Sequence, residues 1–477
     1  MKALNARLAS QWASISPRFL PFADAATPEL PIGRLLRLSM FQVSVAMAIV
    51  LLNGTLNRVM IVELGVPSFV VAAMVSLPLL FAPFRTLIGY RSDNYRSALG
   101  WRRAPFIWFG SMLQFGGLAI MPFALLILSG DTTGPLWIGP VAAALAFLLV
   151  GAGLHTTQTA GLALATDLAP PESRPRVVAF LYVMLLLGMV ASSFIFGWLL
   201  SEFSQLRLIQ VIQGAAVVTM VLNCAALWKQ ETRNPALAAE PQADGTFLDA
   251  WREYARGRNA VRTLLAIGLG TAAFSMQDIL LEPYGGEILH LSVGETTALT
   301  GLLALGTLTG FALSGYAMTR GGDPYRLAGI GVLIGLLAFP AIILSASAES
   351  AALFRFGVAL IGLGGGLFSV STLTAAMSLA DPKQRGLALG AWGASQATAA
   401  GLAIAIGGAI RDGVSHLAVS EDAGSAFSGP VAGYNAVYYL EIILLFATLA
   451  AIGPLVRSTQ AGRSSLSPKF GLAEFPG

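Results

Sequence analysis

The sequence predicts an all-α polytopic membrane protein, with twelve transmembrane helices in two six-helix bundles. Three observations carry that prediction. Of the 477 residues, 55% are hydrophobic and only 11% charged, with a mean hydropathy of +0.71. Soluble domains carry roughly 25% charged residues. Apolar stretches near the bilayer-crossing length of about 20 residues recur along the chain. Finally, the basic residues fall almost entirely on one side of those stretches.

The apolar stretches run over 38–62, 68–90, 105–128, 136–165, 176–200 and 206–228, then 263–284, 296–318, 327–346, 353–379, 386–410 and 432–455. If the N-terminus, the C-terminus and every loop leading from an even to an odd helix share one side, that side holds 24 of the 29 Lys and Arg residues. The opposite loops hold only Arg207, Arg355 and Arg411, and Arg58 and Arg85 fall within spans. Short Lys/Arg-rich loops stay cytoplasmic, so both termini are expected there. Losing or adding one helix would scramble the asymmetry.

Before the first span, Leu4, Leu8, Trp12 and Ile15 recur at helical spacing among Lys2, Arg7 and Arg18. Residues 1–37 therefore read as a cytoplasmic segment whose start lies on the membrane surface, or as a disordered tail. The first bundle is expected over 38–228. The stretch Arg85–Arg103 between its second and third spans concentrates Arg91, Arg96, Arg102 and Arg103 around Asp93. Such a cluster needs water, because each Arg at the bilayer centre costs at least about 2.5–3.5 kcal/mol. Residues 229–261, rich in Pro, Ala and charge, read as a cytoplasmic linker. A second bundle over 262–456 and a cytoplasmic tail over 457–477 complete the chain.

The halves look duplicated. Gly89-Tyr90 and Gly315-Tyr316 end the second and eighth spans, and Leu64-Gly65-Val66-Pro67 and Leu291-Ser292-Val293-Gly294 open them. Asp167–Arg174 and Asp381–Arg385 follow the fourth and tenth. Among 52 glycines, the run Gly362, Gly364, Gly365, Gly366 lies in an apolar helix with no following Lys, so it reads as helix packing or a hinge rather than a phosphate loop. The lone Cys224 excludes an intramolecular disulfide. A net charge of +4 spread over membrane-flanking loops does not suggest nucleic acid. No nucleotide-binding loop, zinc spacing or nucleophile motif points to an enzyme.

Polar residues inside the spans are the candidate chemistry. Asn53 and Asn57 share a face of the first helix, with Arg58 beside them and Glu63 near its outer end. In the seventh, Gln277 and Asp278 precede Glu282. A buried Arg needs an acid. Arg58 therefore either pairs across the halves with Asp278 or Glu282, in a network that includes Gln277, or snorkels to Glu63.

The stretch containing Gly89, Asp93, Arg96, Arg102 and Arg103 resembles the loop between helices two and three of the major facilitator superfamily, with extra residues between Asp93 and Arg102. A narrower resemblance lies in Arg18–Asp24, Leu38–Ser44, Gly54–Glu63, Ala82–Gly89, Arg91–Pro105 and Gln277–Gly286. These stretches are similar to the PucC/LhaA family, the bacteriochlorophyll-delivery branch of that superfamily. The resemblance implies an assembly factor for light-harvesting antenna complexes in the inner or intracytoplasmic photosynthetic membrane, with an LhaA-like core-antenna type favoured. It implies antenna α and β polypeptides, the reaction centre–antenna core complex and membrane lipids as partners, and bacteriochlorophyll as the bound pigment. Under it, His155, Gln158, Asn53, Asn57 and Arg85 become candidate pigment-holding residues. A neutral imidazole at His155 suits an axial position on the chlorin magnesium, although a structural histidine and a snorkelling Arg85 remain the plainer readings. The alternative function is a proton-coupled solute transporter using Asp278 or Glu282.

Overall fold

The computed structural model describes residues 27, 30–80, 88, 92, 101–130, 135, 137–170, 173–231, 260–379, 385–420 and 431–462. Among them there is no strand. Twelve helices follow one another: α1 (Ile32–Glu63), α2 (Ser68–Leu80), α3 (Ala104–Leu128), α4 (Ile138–Leu168), α5 (Arg174–Leu199), α6 (Gln205–Leu227), α7, α8 (Val293–Thr319), α9 (Pro324–Ser347), α10 (Ala351–Leu379), α11 (Arg385–Ser420) and α12 (Val431–Gly462). α7 comes in pieces: Ala260–Ser275, a tight 3₁₀ turn at Met276–Ile279, and Leu281–Glu287. Eleven are long and apolar enough to cross a membrane, and α2 is a shorter apolar helix over its described residues.

The first helix starts at Ile32, six residues before the apolar run, because Ile32–Arg37 carries on the same helix after Pro31. Arg34 at that end donates to Gln230 Oε1 at 3.0 Å and to the Gln230 carbonyl at 2.6 Å, tying α1 to the end of α6. The surface helix over 4–15, Arg85, Gly89, Asp93, Arg96 and most of the linker and tail lie outside the described residues.

With no hydrophobic drive between helices in lipid, close packing falls to small residues. A Cβ at Gly117 of α3 would sit 2.7 Å from the Val150 nitrogen of α4, and one at Gly331 of α9 would sit 2.5 Å from the Gly364 carbonyl of α10. Within the glycine run, Gly362 and Gly366 abut Leu303 and Thr307 of α8 while Gly364 abuts α9. The run thus lets one helix press against two neighbours. Trp137 and Trp198, at one end of the bundle, and Trp228, at the other, are exposed, as membrane-interface tryptophans are.

The duplication is visible in the turns. Gly65 between α1 and α2 and His290 between α7 and α8 both adopt left-handed backbone, at φ +64° and +54°. The next amide, Val66 or Leu291, reaches back six residues to Met60 or Gly285, at 2.9 Å in each. This equates Leu64 with Leu289, two residues from the match suggested by Leu291. The motif Leu-x-Val misled because turn geometry, not side-chain identity, is what the halves share.

The halves meet along two seams, α2 with α11 and α5 with α8. Asp412 of α11 accepts the Phe69 amide at the start of α2 at 2.8 Å. On the other seam, Ser193 of α5 inserts into the α8 ladder, accepting the Gly301 amide at 2.8 Å and donating to the Thr297 carbonyl. Both contacts lie toward the end away from the basic loop.

Candidate functional site

α1 and α7, equivalent under the duplication, both depart from α geometry where they face each other. α1 widens to i→i+5 turns over Val50–Leu56 and Val59–Glu63, a feature that gathers at functional sites. α7 tightens at Met276–Ile279. Pro283, third residue of the next piece, has no N–H to give the Ile279 carbonyl, which weakens the helix at this point.

Between them lies a buried polar seam. Glu282 accepts from Thr300 of α8 at 2.7 Å and from Asn57 of α1 at 3.5 Å. Thr55 and Thr297 meet at 3.2 Å across the same seam. Gly54 has no side chain to hold Thr300 and Glu282 away.

Arg58 does not pair with Asp278 or Glu282. Its guanidinium forms an ion pair with Glu63 and donates to the Leu291 carbonyl at 3.4 Å. A Cβ at Gly286 would lie 2.9 Å from its Nε, so that glycine makes room for it. The cross-half carboxylate contact is made instead by the neighbouring Asn57. Asp278 is half-buried at the α7 break, outside any ion pair described.

Gln277 is buried, and its backbone amide donates to Glu441 Oε1 of α12 at 2.8 Å. Glu441 has no exposed surface at all (0%) and was not among the residues expected from sequence. The signal was available: it is the lone acid in the 432–455 apolar run. Also unexpected is a knot at the far end, where Arg411 bonds Glu287 at 2.6 Å and Asp412 at 2.9 Å while the Tyr434 hydroxyl donates to Glu287 at 2.9 Å.

The candidate pigment-holding residues separate by exposure. Gln158 is buried and donates to Gln42 at 3.4 Å, and Asn57 is buried and spent on Glu282. His155 and Asn53 are half-buried. Arg85 lies outside the described residues.

At the basic-loop end, Arg103 bonds Asp167 at 3.0 Å and Ser92 at 2.6 Å. Glu231 accepts the backbone amides of Arg102, Arg103 and Ala104 at 2.6, 3.0 and 2.7 Å. A carboxylate thus caps the otherwise unsatisfied start of α3.

Two bundles sealed along α2–α11 and α5–α8 around an interrupted α7 define a membrane protein of the major facilitator fold. The structure superposes on a POT family transporter with a TM-score of 0.66 at 12% identity, covering 92% of this chain and 99% of that one. It matches a bacterial homologue of the lysosomal transporter Spinster, inward-facing, with a TM-score of 0.65 at 16% identity, covering 91% and 98%. Within that class the chain belongs to the family described as PUCC protein, whose pattern matches residues 55–460. A Rhodobacter capsulatus relative described as "Uncharacterized protein in puhA-bchM intergenic region" is 55% identical, covering 97% of this chain and 98% of its own. Protein PucC of Rhodovulum sulfidophilum is 57% identical, covering 87% and 92%. The "Bacteriochlorophyll synthase 44.5 kDa chain" of Rhodobacter capsulatus is 29% identical, covering 80% and 87%.

Proposed function

We propose that the protein is an assembly factor, not an enzyme, that binds bacteriochlorophyll and hands it to nascent light-harvesting antenna α and β polypeptides. Its site of action is the inner or intracytoplasmic membrane, with both termini cytoplasmic, and its favoured client is the core antenna around the reaction centre. The observation that carries this reading is family membership across 55–460, joined by a full-length relative named for a place beside bchM and a more distant one named for bacteriochlorophyll synthesis.

The residues left accessible support a place for the pigment. His155 on α4 is half-buried, with half-buried Thr159 one turn on, and an imidazole is a side chain suited to a chlorin magnesium. A bacteriochlorophyll bound there would supply light absorption; His155 would be the residue to hold its magnesium, and Asn53 would offer a hydrogen-bonding side chain. Exposed aromatics on α3, including Trp108, Phe109 and Phe123, give single-span partner helices a lipid-side surface.

Deletion tests the reading. Loss of antenna absorbance with the reaction centre still made supports it. A normal antenna with altered solute uptake instead supports a proton-coupled transporter, the reading that buried Glu282 beside an interrupted α7 favours.

A further inference from the structure

The α7 break leaves more polar atoms in the membrane interior than the protein satisfies. Gln277 gives its backbone amide to Glu441 and its side-chain nitrogen to the Phe274 carbonyl, at 2.7 Å. That leaves Gln277 Oε1, Glu441 Oε2 and the Tyr438 hydroxyl without hydrogen-bond partners, and all three side chains are fully buried at 0% exposure. Tyr438 lies one turn before Glu441, on the same face of α12. Its ring is fixed edge-on against Tyr284, with centroids 5.6 Å apart.

An unpaired buried polar atom costs about 1–3 kcal/mol, so these three, one at the α7 break and two on the α12 face that bonds it, call for a ligand. All three are oxygens, the donor type that hard cations take. The first piece of α7 ends here, and its last carbonyls add the partial negative charge of a helix C-terminus. Among the described residues no Lys, Arg or His forms an ion pair with Asp278, Glu282 or Glu441; the ion pair of α7's end joins Glu287 to Arg411. No cluster of three His, Cys, Asp or Glu side chains able to hold a metal exists among the described residues, which disfavours a divalent ion. Of the carboxyls at the break, Asp278, Glu282 and Glu441, only Glu441 offers a buried oxygen without a partner, which matches a single positive charge.

We propose that the α7 break is a binding site for a small monovalent cation of the sodium class. Glu441 Oε2 supplies the charge, Gln277 Oε1 and the Tyr438 hydroxyl the neutral ligands, and the end of the first α7 piece its carbonyls. Bound there, the ion fixes the angle between the two pieces of α7, and with it the position of Glu282 against Asn57. The inference stands apart from the pigment reading and survives its failure.

The test is thermal unfolding of the full chain in detergent, in sodium, potassium or N-methylglucamine chloride at equal ionic strength. A midpoint that rises saturably with sodium, and does so less or not at all in Glu441→Gln and Tyr438→Phe, is the expected result. Glu441→Gln keeps an acceptor for the Gln277 amide. Should it not fold, Tyr438→Phe and radioactive sodium binding to the unaltered protein decide. Equal midpoints in the three salts, an unchanged sodium response in both variants, no sodium binding, or a midpoint that follows pH alone would overturn the proposal.

Discussion

Arg58 and Asn57 are adjacent, yet they serve opposite ends of the seam. A regular helix turns 100° per residue, and the spacing alone leaves both within reach of α7. The i→i+5 turns of α1 rotate the following residues out of that register, and Asn57 rather than Arg58 comes to face Glu282. Charge exchange separates the pairings. Arg58→Glu sets two acids side by side and lowers the thermal midpoint, by less than a fully buried pair would because the Glu63 side chain is 37% exposed. Combining it with Glu63→Arg restores the thermal midpoint, and combining it with Glu282→Arg does not. Asp278, Glu282 and Glu63 were all open as partners for Arg58 from sequence; a hydrophobic pattern carries no sign of a widened turn, so it could not choose. Glu441 was legible as an isolated acid in an apolar run, but its partner was not, because a backbone amide freed by a helix break has no side-chain signature.

Helix count and order were readable from apolar length and loop charge, since bilayer thickness fixes the first and the cost of moving Arg the second. Helix ends were not. α11 continues to Ser420, well past 410, because Arg411 and Asp412 are satisfied by Glu287 and the Phe69 amide rather than by water. Pro283 was the readable sign of the α7 break. The cap on α3 escaped notice because Glu231 is distant in sequence. Glu231→Ala strips the acceptor from three amides and is expected to lower stability by about 1–2 kcal/mol, with the start of α3 exchanging hydrogen faster. Gly331→Leu drives a side chain into the Gly364 carbonyl. It should cost about 1–3 kcal/mol or more, read as a lower midpoint in detergent, while Gly329→Leu, which has open space, should cost little.

The two halves close on each other at the end away from the basic loop, where α2 meets α11 and α5 meets α8. A Cβ at Gly408 would lie 2.9 Å from the Ser68 carbonyl. Gly408→Leu should therefore push α11 off α2, read as a lower thermal midpoint in detergent, while Gly413→Leu on the same helix, which has open space, should change it little. Duplication foretold two similar halves, but the seams between them rest on backbone approach at glycines and on single polar insertions such as Ser193, which composition does not reveal. On this account the halves hold a polar seam inside and an aromatic face outside, and a pigment is held and passed to partner helices. The absorption spectrum of the gently purified protein, beside that of His155→Ala, tests this without intermediaries. Bacteriochlorophyll bands in the first that weaken or shift in the second are predicted. Colourless protein from pigment-replete membranes, or identical pigment content and bands in both, would contradict it.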